Sequence, residues 1–326
     1  MTRALDYRRP IELGLSVVPE AETIDEIRAL ARQADEAGLD LLGIQDHPYQ
    51  RRFLETWTLL GDLLARTERL RVFPDVANLP LRLPAMIAKQ AASLDLLSGG
   101  RFELGLGAGA FWEGIAAMGG PTRTGREALE ALEETIRIIR LCWSGERSIR
   151  FEGRHYSVSG LHPGPPPAHP IGIWVGAYKP RILGLVGRLA DGWVPSLPYA
   201  PPAAVPAMQA RIDEGAAEAG RDPAEIRRAY NLMGEIGDGG GILEGPVAHW
   251  IDTLTQFVLE LGFDTLIFWP RGDTRRQLAL FAEEIVPAVR AEVARSRSAS
   301  GASGASGRIY SDSARTEPPE TNRLGS

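Results

Sequence analysis

Between Ser93 and Gly109 the chain reads SLDLLSGGRFELGLGAG and changes from a helical to an extended period within a few residues. Ile87, Ala91, Leu94 and Leu97 recur at three- and four-residue spacing, the mark of a helix with one apolar face. Ser98-Gly99-Gly100 ends that helix, because glycine takes the left-handed position after a helix without a Cβ penalty. From Arg101 to Leu106, Phe102, Leu104 and Leu106 alternate with Glu103 and Gly105, which predicts a strand. The strand runs into Gly107-Ala108-Gly109, where small side chains let backbone N–H groups approach a ligand. Helix, tight turn, buried strand and Gly-rich strand end are half of a barrel-type α/β repeat.

The same alternation extends along the chain. Strands are predicted at Ile11 to Val17, Leu39 to Gln45, Arg71 to Asn78, Ile171 to Gly176, Gly192 to Pro195, Ile226 to Leu232 and Thr265 to Trp269. Several are nearly continuous apolar runs, as parallel strands covered on both faces require. Helices are expected between them, the first entered through a capping-box pattern at Thr23 to Glu26. Others are predicted at about Thr56–Arg66, Arg126–Trp143, Pro180–Leu189, Pro202–Glu218, Pro246–Leu261 and Thr274–Ala294, with Ala110 to Pro121 as a loop. About eight strand–helix units is the arithmetic of a (β/α)8 TIM barrel, an α/β fold. Residues 1–294 are assigned to the barrel, with an insertion at about 144–170 that holds a hairpin around Gly153 and the Pro-rich connector HPGPPPAHP. Residues 295–326 read as a disordered low-complexity tail, being poor in the apolar residues a core needs.

Composition narrows the function. A net charge of −6 argues against nucleic acid as the main partner. Only Lys89 and Lys179 are lysines among the 36 basic residues, a bias we attribute to codon usage. The single cysteine, Cys142, excludes an intramolecular disulfide and a Cys-rich metal site, and no metal centre is expected. No apolar run reaches ~18 residues and the N-terminus lacks a signal-peptide pattern, so the expectation is a cytoplasmic protein with no membrane partner.

Chemistry in such a barrel sits at the C-terminal strand ends. Four of these ends stand out: Asp46-His47, Val76-Ala77-Asn78, Gly107-Ala108-Gly109 and Gly176-Ala177-Tyr178-Lys179. Gly107-Ala108-Gly109 lies mid-chain and lacks the third spaced glycine of a dinucleotide fingerprint. Gly176 to Pro180 ends a strand before a helix, where free N–H groups suit a phosphate. His155, His162 and His169 fall in the irregular insertion without metal-ligand spacing, and His249 is read as structural. Walker A, H-E-x-x-H and G-x-S-x-G motifs are absent.

Together these residues resemble the luciferase-like family of flavin- and deazaflavin-dependent oxidoreductases. AKQAASLDLLSGGRFELGLGAG, Ala88 to Gly109, is close to the family signature, supported by LLGIQDH, by Asn78, Arg82 and Pro84, by LCWSGE and by RLADGWVP. The resemblance spans about Ile11 to Val289 and implies a flavin-type ring at the C-terminal mouth, against a bulge with a non-proline cis peptide at about Asp75-Val76. It places a phosphate site on Gly107 to Gly109 and Gly176-Ala177, with Lys179 and Arg181 as charge partners. Gln45-Asp46-His47-Pro48-Tyr49-Gln50 is nearer the deazaflavin (coenzyme F420) pattern than the Glu-His-His of FMN-using members.

The implied activity is hydride transfer to or from a small organic substrate. The alternatives are an FMN-dependent monooxygenase fed by a separate reductase and a non-catalytic cofactor-binding member. His47 is the candidate proton donor or acceptor, since its ordinary pKa of about 6.5 allows both roles. Asp46 either orients His47 or anchors the turn, and Glu113 is a second acid/base candidate. Tyr49, Phe111 and Trp112 are assigned to the substrate wall. Ala110 stands where the family's sugar-phosphate dehydrogenases carry Glu, which argues against that reaction. A homodimer is expected from the family.

Overall fold

The computed structural model describes residues 5–306. The first half of the described chain runs β1 (Glu12–Val17), α1 (Ile24–Glu36), β2 (Leu41–Ile44), α2 (Thr56–Leu64), β3 (Arg71–Pro74), β4 (Ala77–Asn78), α3 (Pro84–Ser98), β5 (Leu104–Gly107), α4 (Trp112–Ala117) and α5 (Gly125–Trp143). A hairpin of β6 (Ile149–Glu152) and β7 (Ser157–Leu161) follows, then β8 (Ile173–Val175), α6 (Pro180–Leu189), β9 (Gly192–Trp193) and α7 (Val205–Glu218). The chain continues through β10 (Arg227–Ile236), β11 (Glu244–Gly245), α8 (Val247–Leu259), β12 (Thr265–Pro270), α9 (Thr274–Leu280) and α10 (Val286–Ser306).

The barrel strands pair in parallel in the order β3-β2-β1-β12-β10-β9-β8-β5-β4. β3 and β4 are two halves of one interrupted strand, so the order closes on itself. A parallel bridge from Val72 to Phe102 seals the lower half, while Ala77 pairs with Leu106 above. Alternation along the strands divides the apolar residues between two layers. Leu41, Phe73, Trp174, Val194, Ala229 and Ile267 form a compact inner cluster, with the Phe73 and Trp174 rings 5.1 Å apart. Their neighbours, including Leu42, Val72 and Val175, pack outward against the helices.

Several boundaries differ from the sequence reading. Residues 110–121 are not all loop, since Trp112–Ala117 is helical. Helix α1 starts as expected, but Thr23 makes no side-chain cap and instead donates to the Glu20 carbonyl. The reciprocal capping box forms at Thr124 and Glu127, at the start of α5. The C-terminal helical run passes the expected limit at 294 and reaches Ser306, with a π-turn at Phe281–Ile285. Arg297 anchors it by pairing with Asp6 at 2.7 Å. The expectation for the rest of the tail, 307–326, lies outside the described residues. Among the described residues, no helix is long and apolar enough to cross a membrane.

Candidate active site at the barrel mouth

The interruption between β3 and β4 shapes the floor of the site. The Asp75–Val76 peptide is cis, as the resemblance implied. The Val76 side chain packs onto glycines of two neighbouring strands. A Cβ on Gly107 would lie 2.7 Å from Val76 Cγ2, and one on Gly176 would lie 3.3 Å from it. A Cβ on Gly105 would fall 2.2 Å from the Pro74 carbonyl oxygen. The Gly-rich end of β5 is therefore first of all the complement of this bulge. A side chain there would displace the bulge before it met any ligand.

Polar groups on the same floor are left without partners. Asp75 Oδ1 accepts from Asn231 Nδ2 at 3.1 Å, and Asn231 Nδ2 also reaches Ser196 Oγ at 3.3 Å. Asp75 Oδ2, Asn231 Oδ1, Asn78 Oδ1 and Trp269 Nε1 are buried with no hydrogen-bond partner. Such orphaned groups cost about 1–3 kcal/mol each unless a ligand or water meets them. Burial pushes the Asp75 carboxyl up to about 7, although the side chains of Asn231 and Trp269 favour the anion. The floor thus holds a carboxyl group that changes charge near neutrality.

One wall is aromatic. The His47 ring stacks on Tyr49 at 5.5 Å and meets Phe111 at 5.3 Å. Burial lowers the His47 pKa against the opposing pull of Asp46, so the imidazole is neutral at pH 7. Burial lifts the Tyr49 phenol to about 12. Gly109, at φ 102°, lets Trp112 close on the turn, because a Cβ there would sit 2.7 Å from both the indole and Pro80. Tyr49, Phe111 and Trp112 all line the cavity.

Of the two readings open for Asp46 the structure favours the anchor of the turn, and Glu113 does not fit an acid/base role. The fully buried Asp46 spends its carboxylate on Arg82, at 2.9 Å to each oxygen, and on the Asn78 backbone N–H at 2.9 Å. It ties β2 to the strand after the bulge and makes no hydrogen bond to His47. Glu113 is exposed and does not line the cavity. One residue along a helix is a turn of about 100°, so α4 that points Trp112 inward carries Glu113 away.

The opposite rim is built on β8 and α6. Ala177 is buried and its carbonyl accepts from Trp193 Nε1 at 2.9 Å, while the Tyr178 hydroxyl accepts the Ser196 N–H at 3.2 Å. The Tyr178 and Tyr199 rings lie 5.3 Å apart. Lys179 precedes α6, Pro180 opens it, and Arg181 follows on its first turn. Lys179 and Arg181 are exposed, with no ion pair to any described residue. With Arg126 of α5 these residues edge a cavity of about 1230 Å³, room for a ring system together with a second molecule.

Every cofactor-binding residue expected from sequence lines this cavity: Asp75 to Asn78, Gly107 to Gly109 and Gly176 to Lys179. Asn231, Trp269 and Ser196 were missed. Asn231 lies inside the apolar run AYNLM, and an amide within a strand is uncommon enough to have been a signal. No cluster of three or more His, Cys, Asp or Glu able to hold a metal occurs among the described residues.

Comparison with known proteins agrees with this geometry. An F420-dependent glucose-6-phosphate dehydrogenase of Nakamurella multipartita is 27% identical, over 87% of this chain and 98% of its own length. An F420-dependent hydroxymycolic acid dehydrogenase of Mycobacterium tuberculosis is 32% identical over 70% of this chain and 64% of its own. Among solved structures, an F420-dependent secondary alcohol dehydrogenase superposes with a TM-score of 0.78 at 17% identity, covering 86% of this chain and 99% of its own. The family model for luciferase-like monooxygenases matches residues 8–238. On that match, and on a closed barrel whose interrupted third strand floors an aromatic mouth, the chain belongs to the luciferase-like monooxygenase family.

Proposed function

We propose that the chain is a deazaflavin (coenzyme F420)-dependent oxidoreductase acting on a small organic substrate at a carbinol or carbonyl carbon. One observation carries the reading: buried polar atoms of Asp75, Asn78, Asn231 and Trp269 stand unpaired in the cavity that holds a neutral His47. Their donors and acceptors suit the carbonyl and N–H edge of a flavin-type ring. The glycines around Val76 leave room for a planar group above it. The named activities of the two relatives favour the deazaflavin over FMN.

When bound, the deazaflavin supplies the carbon that gives or takes the hydride. The protein handles the proton. His47, uncharged at neutral pH, takes the hydroxyl proton as an alcohol is oxidised, or returns it as a carbonyl is reduced. Asp46 and Arg82 hold the turn that carries His47, acting on its position and not on the proton itself. Tyr49, Phe111 and Trp112 exclude water on the substrate side. Lys179 and Arg181, at the positive end of α6, receive the anionic part of the cofactor. A second copy of the chain covers the exposed Leu83, Met86 and Leu97 on one side of α3, and a separate reductase supplies reduced cofactor where the reaction consumes it.

Fluorescence-monitored titration of the purified protein with F420 and with FMN tests the cofactor. Micromolar or tighter F420 binding with weak FMN binding is the expected result. The reverse preference would replace hydride transfer by flavin-based oxygenation, and binding of neither would leave the protein without a redox role.

A further inference from the structure

Asp75 carries an inference that rests on the proposed ring site and goes beyond it. Its side chain is buried on the cavity floor, at 8% exposure. One oxygen is anchored by Asn231 and the other is orphaned. Its surroundings hold no cation. The Asp75 Cβ faces Gly43 of β2, Asn231 of β10 and Trp269 of β12 approach its carboxyl, and the titratable group facing it is the Tyr178 phenol, whose own ionisation it disfavours. No described Arg or Lys makes an ion pair with it. The other charged groups of the cavity are engaged elsewhere or stand at the rim: Asp46 pairs with Arg82, Arg126 with Glu130, and Lys179 and Arg181 lie on the start of α6.

A buried carboxyl with no counter-charge is held in its neutral form, and a neutral carboxyl is a hydrogen-bond donor. The anchoring amide leaves Oδ2 as the oxygen free to carry the proton. We propose that Asp75 is a cofactor-positioning residue that presents a carboxylic O–H from Oδ2 to an acceptor, a carbonyl oxygen or ring nitrogen, of the bound flavin-type ring. Trp269, on β12 across the floor, bears on the Asp75 carboxyl itself, so the Asp75 O–H is the donor the site offers to an electron-rich edge, the part of the ring that gains charge on reduction. Ring binding is then coupled to a proton that the site itself holds. The pull of burial on Asp75 to about 7 puts the change within the range of ordinary buffers.

The test reads binding, with no turnover required. For the wild-type protein the F420 dissociation constant is expected to be flat below pH 6.5 and to weaken by about tenfold for each pH unit above pH 7. In Asp75→Asn the amide donates without titrating, so the profile flattens and binding at pH 8.5 is tighter than in wild type. Infrared difference spectra of the unliganded protein between pH 5.5 and 8.5 add a readout free of any ligand. A protonated-carboxyl band that disappears on raising the pH, and that Asp75→Asn lacks, supports the assignment. Wild-type binding that is independent of pH, or that tightens as pH rises, overturns the donor role while leaving the ring site standing. The same holds if Asp75→Asn keeps the wild-type profile. Binding of neither F420 nor FMN at any pH overturns the ring site and this inference with it.

Discussion

The two ends of the barrel treat buried polar groups in opposite ways. At the N-terminal strand ends nearly every charge meets a counter-charge. Arg71 opens β3 and pairs with Glu12 of β1 at 2.6 Å and with Glu103, just before β5, at 2.9 Å. Arg227 opens β10 and pairs with Glu12 at 2.9 Å and with Asp264, just before β12, at 3.2 Å. Carboxylates at these positions also accept backbone N–H groups of a neighbouring strand: Asp40 from Leu13, Glu103 from Gly172, Asp191 from Ile173 and Asp264 from Arg228. At the C-terminal mouth Asp75 has an amide and no cation, and four polar atoms stand unpaired.

Glu103 and Asp75 make the contrast sharpest. Burial would raise both carboxyls, but His169, the Gly172 N–H and Arg71 outweigh it for Glu103 and hold that group below its ordinary range. Nothing comparable stands at Asp75, which rises to about 7. The lower end is built to be stable without help. The upper end keeps unmet hydrogen-bonding capacity, the condition under which a ligand gains more than water would.

Breaking the lower network should have the largest effect on folding and the smallest on binding. Arg71→Met leaves Glu12 and Glu103 short of a partner and is expected to cost about 3 kcal/mol in urea denaturation, with F420 affinity unchanged in the folded protein. A loss below about 1 kcal/mol would mean that the network is ornamental to stability. His47→Asn should do the reverse. Its midpoint of thermal unfolding stays near wild type, while turnover falls by at least about a hundredfold, read by steady-state absorbance of the cofactor. Unchanged turnover would remove His47 from the proton-transfer role.

The smallest expected effect concerns His169, which bridges Asp95 at 2.8 Å and approaches Glu103 at 3.6 Å. The nearby Glu103 carboxylate raises its pKa, with Asp95 adding to that against burial. A histidine whose pKa is raised by folding stabilises the protein fully below about pH 6.5, and the gain is lost as pH rises through the folded-state value. His169→Gln should therefore cost about 1 kcal/mol or less at pH 5.5 and less again at pH 8.5. An equal cost at both values would assign His169 to packing alone.

Much of this architecture is legible in the chain. The helix that ends at Gly99, with φ 69°, and the strand beyond it lie where the change of period puts them. The strand ends that stand out in the sequence, at Asp46-His47, Val76 to Asn78, Gly107 to Gly109 and Gly176 to Lys179, converge on one cavity. Local patterns reach that far because in a parallel barrel every strand delivers its C-terminal end to the same face. Two assignments failed where a side chain's direction or partner decides its role: Glu113 was carried outward by the turn of α4, and Thr23 spends its hydroxyl on the Glu20 carbonyl. Of the two readings open for Asp46, the structure chose the anchor of the turn, because Arg82 occupies its carboxylate. Asn231 escaped notice because its value lies in facing Asp75, 156 residues away.

By itself, then, the sequence determined the alternation of helix and strand, the closed parallel barrel and the face on which chemistry takes place, since periodicity and glycine placement act over a few residues. Only the tertiary structure decided which charges cancel and which stay bare. Glycines at 107 and 176 yield to one valine and Gly105 to the Pro74 carbonyl, and an aspartate in a strand break meets an amide in place of an arginine. Electrostatic environment is a sum over everything within a few ångströms, and folding brings those neighbours together from every part of the chain.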